Sequence, residues 1–155
     1  MAWWWLVIAA AALVIIMAVL AWRPLRRLAR EAEANHAREL FRRQREHLEA
    51  DFLRAAAASG KPRGLRWKGC DWGRDVELAR EHGTGRLAAL VGVTIQFEAV
   101  PGSDMEGLPA VGNLRNASAV FFFDRGRWHT VGRAVFNMNP DEAIAHFQYE
   151  RVPAG

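Results

Sequence analysis

RLAALVGVTIQFEAV, residues 86–100, is the clearest strand in the chain. Val91, Val93, Ile95 and Phe97 alternate with Gly92, Thr94, Gln96 and Glu98. That period of two belongs to a strand with one face on a core and the other on water. Fifteen residues is long for one flat strand, about 5–6 residues being usual. Gly92 is therefore expected to mark a bulge or bend.

Further strands are expected on both sides. Downstream, residues 101–113 (PGSDMEGLPAVGN) read as a loop, followed by long strands at Leu114–Phe123 and Arg127–Asn137. Asp124-Arg125-Gly126 makes these two a hairpin. Upstream, Leu65–Cys70 and Val76–Arg80 read as two short strands around the turn Asp71-Trp72-Gly73-Arg74, and Glu81–Gly85 is a glycine-rich turn. Asn139-Pro140-Asp141-Glu142 is a helix start, with Asn to cap, Pro at the first helical position and acids to complement the dipole. A short last helix is expected from Pro140 to Tyr149, with Ile144 and Phe147 turned inward.

Before the strands, Leu25–Ala58 is rich in Ala, Leu, Arg and Glu and holds no Gly or Pro, which predicts a helix. Opposite charges recur at four-residue spacing in Arg27–Glu31, Glu39–Arg43, Arg42–Glu46 and Arg45–Glu49, supporting an exposed helix. Ala37, Phe41, Leu48, Phe52, Ala55 and Ala56 fall on one face. Residues 23–36 offer little apolar surface and read as a charged helical spacer, whereas 37–58 should dock on the strands. Heptads are not sustained, so a coiled coil is disfavoured. Gly60 is expected to cap the helix and Pro62 to stop it.

The chain opens with MAWWWLVIAAAALVIIMAVLAW, residues 1–22, without a charged side chain. Ala2–Trp22 spans about 31 Å as a helix, close to the ~30 Å apolar core of a bilayer. Trp3, Trp4 and Trp5 at one end and Trp22 at the other suit the two membrane–water interfaces. Pro24 lies just beyond, where the helix is expected to break or restart. No basic residue precedes the run, so it is expected to remain as an anchor instead of being cleaved as a signal peptide. Arg23, Arg26, Arg27 and Arg30 follow with no acid among them. Positive residues stay on the cytoplasmic side, which predicts a single-pass protein with its N-terminus outside and its C-terminal domain cytoplasmic. Each arginine should gain about 1 kcal/mol near an anionic leaflet.

The net charge of +4 first suggests nucleic acid, but its distribution does not. The four arginines of residues 23–30 carry an excess equal to the whole of it. Residues 31–59 hold five arginines against six acids, and residues 60–155 twelve basic side chains against eleven acids. A nearly neutral domain behind a basic flank favours anionic membrane lipid as a partner over a nucleic-acid groove. Lys61, Arg63, Arg66 and Lys68, with Trp67 and Trp72, could grip a phosphate or a single strand but read more simply as a solvated loop entering a strand. The single cysteine, Cys70, excludes an intramolecular disulfide and suits a reducing compartment.

The whole reads as α+β: an N-terminal transmembrane helix (1–22), the spacer (23–36), and a soluble domain (37–155) in which a long helix precedes a curved antiparallel sheet of about 4–5 strands and a short C-terminal helix. Over residues 37–137 this order of elements, with its one bend, resembles the cystatin-like and NTF2-like folds, in which a curved sheet wraps one helix. NTF2-like domains usually carry more helix before the sheet. The resemblance implies a fold whose members include ligand binders, enzymes and assembly modules, and so no single function.

Chemistry is sparse. His36, His47, His82, His129 and His146 form no H-x-x-x-H pair. His36 and His47 share a helical face about 16 Å apart, too far to share a metal. Cys70 with His129 as base would make a nucleophile, yet nothing in the sequence joins them. Glycines 83, 85, 102, 107 and 112 match neither a P-loop nor a dinucleotide fingerprint, so no cofactor is expected. Asp104 and Glu106 are a short acidic pair in a loop. The best remaining constellation is a polar sheet face of Gln96, Glu98, His129 and Arg133, with Trp128, Ala134 and Phe136 turned to the core. A non-catalytic protein-binding or assembly module at the membrane is the leading expectation. A small-ligand-binding domain or small hydrolase with a pocket between helix and sheet is the alternative, and a homo-oligomer through helix 25–58 or the anchor is a third.

Overall fold

A computed structural model describes residues 3–59 and 64–153. They divide into two compact units, Met1–His36 and Ala37–Gly155, although one helix, α1 (Trp3–Ala58), runs through both. The rest of the chain is β1 (Leu65–Arg80), β2 (Leu87–Ala99), a 3-10 turn (Pro109–Gly112), β3 (Arg115–Asp124), β4 (Arg127–His129), β5 (Ala134–Phe136), α2 (Pro140–His146) and β6 (Glu150–Arg151). The fold is thus α+β with an open antiparallel sheet. The expected cap Gly60, Pro62, and Lys61 and Arg63 of the basic cluster lie outside the described residues, as does Ala2 at the start of the apolar run.

The first unit is helical. Its apolar stretch is a candidate membrane span by length and composition, and none of it is buried within the chain. The helix does not break at Pro24. Proline's fixed φ fits a helix, and the residue removes only one intrahelical bond, to the carbonyl four residues back. Arg26 sits over the Trp22 ring at 4.9 Å, a cation–π pair one helical turn apart.

The second unit is built on β2, which lies between β1 and β3 in the order β4-β3-β2-β1-β6, with β5 also on β3. The sequence of β2 contains two patterns. Leu87–Val91 is a continuous apolar run buried throughout, and from Gly92 onward burial alternates. A strand covered on both faces reads as a run, and one covered on a single face alternates. On one face Phe41, Leu48 and Phe52 of α1 pack against Val91, Val93, Ile95, Phe121 and Trp128. On the other, Ala143 and Ile144 of α2 cover Ala88, Leu90, Val120 and Phe122. The anticipated docking face of α1 is therefore in place, except that Ala55 is only half-buried. Of the expected charge pairs, Glu39–Arg43 (2.8 Å) and Arg45–Glu49 (2.7 Å) form. Arg42 turns to Glu39 instead of Glu46.

Two strand expectations need correction. Leu65–Cys70 and Val76–Arg80 are not separate strands around a turn; they are one strand, and the extra residues are absorbed as bulges. Between Trp72↔Val93 and Val76↔Val91, three residues of β1 face the single Gly92 of β2. The bend anticipated at Gly92 thus arises from its partner strand. Gly73 suits this close approach, because a Cβ would lie 3.0 Å from the Gly92 carbonyl oxygen and the backbone would have to give by a few tenths of an ångström. The carbonyls freed by the bulge are taken by Arg45 of α1, which donates to Arg74 O (2.7 Å) and to Gly73 O. A second bulge at Lys68 resets the alternation. Trp67, Cys70 and Trp72 consequently all pack on the α1 side.

Arg127–Asn137 is not one strand but β4 and β5, both paired with β3. The interruption has a steric cause. Gly132 (φ +71) abuts α1 so closely that a Cβ would meet Ala56 N at 2.3 Å. Thr130 bridges the gap: its hydroxyl donates to Val120 O (3.0 Å) and accepts from Gly132 N (3.1 Å). At the hairpin, Arg125 and Gly126 both have positive φ, as a two-residue turn of the primed type requires. The last helix ends at His146, short of Tyr149, and carries a full capping box between Asn139 and Glu142. Ile144 is buried and Phe147 half-buried. The unexpected β6 pairs with β1 at Ala79 and Arg80.

Candidate functional site

The two ends of α1's seat on the sheet differ. At the Ala37 end the seat is closed: Trp128 donates its indole N–H to Ala37 O (2.8 Å) and stands edge-on to Phe41 with centroids 5.1 Å apart. At the other end α1 stops at Ala58 and the sheet continues beyond it. There Trp67 meets Phe97 (5.2 Å) and Phe97 meets Phe136 (6.3 Å). These rings, with Leu65 and Ala134, floor a half-open hollow of about 460 Å³ bounded by Ser59, Arg115, Arg133 and Asn137. That volume is within the ~300–1,000 Å³ range of small-ligand sites. Phe136 remains 42% exposed, although sequence alternation places it on the core side.

Register explains the lining. Trp67 pairs with Phe97, Ala117 with Phe136, and Arg115 with Ile95. Ile95, Phe97 and Ala117 belong to the core on the α1 side, so by strand alternation Arg115 shares that face. Among the described residues Arg115 has no ion pair, whereas nearby Arg66 is held by Glu98 at 2.6 Å. The guanidinium of Arg133 lies 4.6 Å over the Phe147 ring. Trp67 presents its ring, not its N–H. Its Nε1 is buried and has no hydrogen-bond partner among the described residues.

On the opposite face a second hollow of about 570 Å³ lies over Gly73 and Gly92. Asp71, Thr94 and Asn116 stand side by side across β1, β2 and β3, with Thr94 Oγ1 3.2 Å from Asn116 Oδ1. Glu142 at its rim is committed to the cap, accepting from Asn139 N at 2.8 Å. Among the described residues no three His, Cys, Asp or Glu side chains gather as a metal site would need.

The four residues of the expected polar surface do not come together. Gln96 and Glu98 occupy one end of β2, Gln96 opposite Gly69 and Glu98 opposite Arg66. His129 is opposite Phe122, which is opposite Ala88. The eight residue steps from Ala88 to Gln96 along β2 correspond to about 26 Å of strand. Arg133 is engaged with Phe147 as above. Cys70 and His129 are likewise apart: Cys70 is level with Ile95 on β1, and His129 is on β4 at the other edge. Burial, with the neighbouring Asp71 charge, pushes the Cys70 thiol up to about 11, so it is a thiol at neutral pH and a poor nucleophile. His47 is 3.5 Å from Asp51, and Glu106 caps its own loop by accepting from Gly102 N (2.7 Å). Trp67 and Trp72 of the basic cluster stand at right angles to Phe52 and pack on the α1 side of the sheet.

The sequence raised a pocket between helix and sheet as an alternative but gave neither the place nor the lining of this hollow. The signal that could have found it is the length of β1–β3 set against the end of α1, a comparison that needs register as well as pattern. No protein-family model, no curated protein and no solved structure matches the chain.

Proposed function

We propose that this chain is a single-pass, membrane-anchored module without a catalytic role, whose C-terminal domain serves partner binding or assembly at the cytoplasmic face. The observation behind it is α1: one helix contains both the candidate span and the residues that pack on the sheet. Trp3, Trp4, Trp5 and Trp22 would lie at the two interfaces, and Arg23, Arg26, Arg27 and Arg30 would hold the cytoplasmic side. A reporter fused after Gly155 tests the orientation: activity outside the cytoplasm rejects it. Crosslinking in native membranes tests the role. Reproducible capture of one partner, lost when residues 37–155 are removed, is the expected result, and capture that survives the removal rejects it.

A second reading is favoured by one specific observation, the half-open aromatic hollow at the end of α1. In that reading the domain binds a small apolar molecule. Ligand-dependent protection of Phe97 and Phe136 amides from hydrogen exchange would support it, and unchanged exchange across a hydrophobic ligand panel would remove it.

A further inference from the structure

The hollow at the end of α1 has a chemistry more specific than apolar. Its floor is aromatic and aliphatic: Trp67, Phe97 and Phe136, with Leu65 beside them. Its charged lining is arginine alone, with no carboxylate. One of the two arginines, Arg133, is drawn to the Phe147 ring. The other, Arg115, has no ion pair among the described residues, although it is on the same sheet face as the rings. It also borders the polar hollow on the opposite side, which puts it at the rim where an apolar floor gives way to water.

Both guanidiniums keep their charge, since a ring contact neutralises neither, but among the described residues only that of Arg115 is uncommitted. An apolar floor with such a group at its rim selects an amphiphile with an apolar body and an anionic head. Arginine binds carboxylate in a two-pronged, charge-assisted geometry. A volume of about 460 Å³ is in the lower half of the ~300–1,000 Å³ range of small-ligand sites and favours one acyl chain over two. The same chain carries a candidate membrane span, so a domain tethered by it meets such amphiphiles where they concentrate. We propose that this hollow binds a long-chain carboxylate, with its acyl chain on Trp67, Phe97 and Phe136 and its head group on Arg115. This rests on the second reading above and supplies the class of ligand.

The test uses the full chain in nanodiscs of neutral phosphatidylcholine, with a diazirine-bearing palmitate as probe. After irradiation, adducts are mapped by peptide mass spectrometry. Adducts are expected on the peptides holding Trp67, Phe97 and Phe136, displaced about tenfold better by palmitate than by hexadecanol, the difference one charge-assisted contact makes. Arg115→Glu should lower that labelling about tenfold, Arg115→Gln should lower it less, and Arg115→Lys, which keeps the charge but not the two-pronged geometry, should fall between Arg115→Gln and the parent. Labelling of residues 3–22 is the internal control and should not change. Should hexadecanol compete equally, or Arg115→Glu and Arg115→Gln label as the parent does, the anionic head group is wrong while the apolar-ligand reading stands. Adducts confined to residues 3–22 overturn both.

Discussion

Trp128 and Trp67 stand at opposite ends of the same seat and differ in every respect that fixes a side chain. Trp128 is buried, its N–H is bonded to Ala37 O, and Phe41 and Phe123 close around it. Trp67 is half-buried, its N–H has no partner among the described residues, and Phe136 beyond it is open to solvent. The first ring is held by a directed bond as well as by packing, the second by packing alone. The lesson is one of division: one end of the helix seat is closed by packing and a directed bond, and the other leaves aromatic surface open to solvent.

The largest effect that would break this contrast is at the closed end. Trp128→Ala should cost about 3–5 kcal/mol, as large-to-small changes of buried aromatics do, in chemical denaturation of the full chain. A loss no larger than that of Trp67→Ala would erase the distinction. Next is Gly132→Ala. The new methyl meets the α1 backbone at 2.3 Å with φ at +71, and the combination of overpacking and left-handed strain should cost about 3 kcal/mol. Native stability in that variant would mean that α1 can lift off the sheet there. Trp67→Phe should change stability by less than about 1 kcal/mol, because lost apolar area is offset by removal of an unsatisfied buried donor. A loss of several kcal/mol would show that the open end is a second core.

The smallest effect is electrostatic and belongs to the closed end. The Arg43 side chain bonded to Glu39, with the charges of Arg42 and Arg43 beside it, holds the Glu39 carboxyl below its ordinary 4.5 against a smaller opposing effect of desolvation. A lowered carboxylate pKa adds stability above the ordinary value, and that addition disappears as pH falls through the lowered one. Carbon-detected NMR titration of Glu39 should therefore give a midpoint below 4.5, moving back toward it in Arg43→Ala. An unchanged midpoint would remove the pair as a feature of that end.

Much of the architecture was legible because it is periodic. The face Ala37-Phe41-Leu48-Phe52-Ala56, the alternation from Val91 to Phe97 and the Asn139–Glu142 cap each depend on one element's own spacing, and each is found in place. What was not legible depends on two elements at once. The strand through Asp71–Asp75 is continuous with Arg45, on a helix 28 residues before Gly73, donating to the carbonyls of the bulge. The strand after His129 is cut because Gly132 meets Ala56. The separation of Gln96 and Glu98 from His129 along the sheet was illegible for the same reason. Parity along a strand says which face a residue takes, but only register says how far along the sheet it lies. Arg115 was legible as a strand residue, but only its pairing with Ile95 placed it beside the aromatic floor.

The bond from Trp128 to Ala37 spans 91 residues, and this has a consequence in time. α1 is complete when Ala58 leaves the ribosome, but the strand that carries Trp128 follows seventy residues later. At about 5–20 residues per second that interval is roughly 4–14 s. Phe41, Leu48 and Phe52 gain the residues they pack on only as β2 and β3 follow, and Trp128 completes their seat last, however early the apolar stretch ahead of them finds its own surroundings. The order of the genetic message thus makes the helix wait for its seat, and whatever shields that face in the interval governs how much of the chain reaches the folded state.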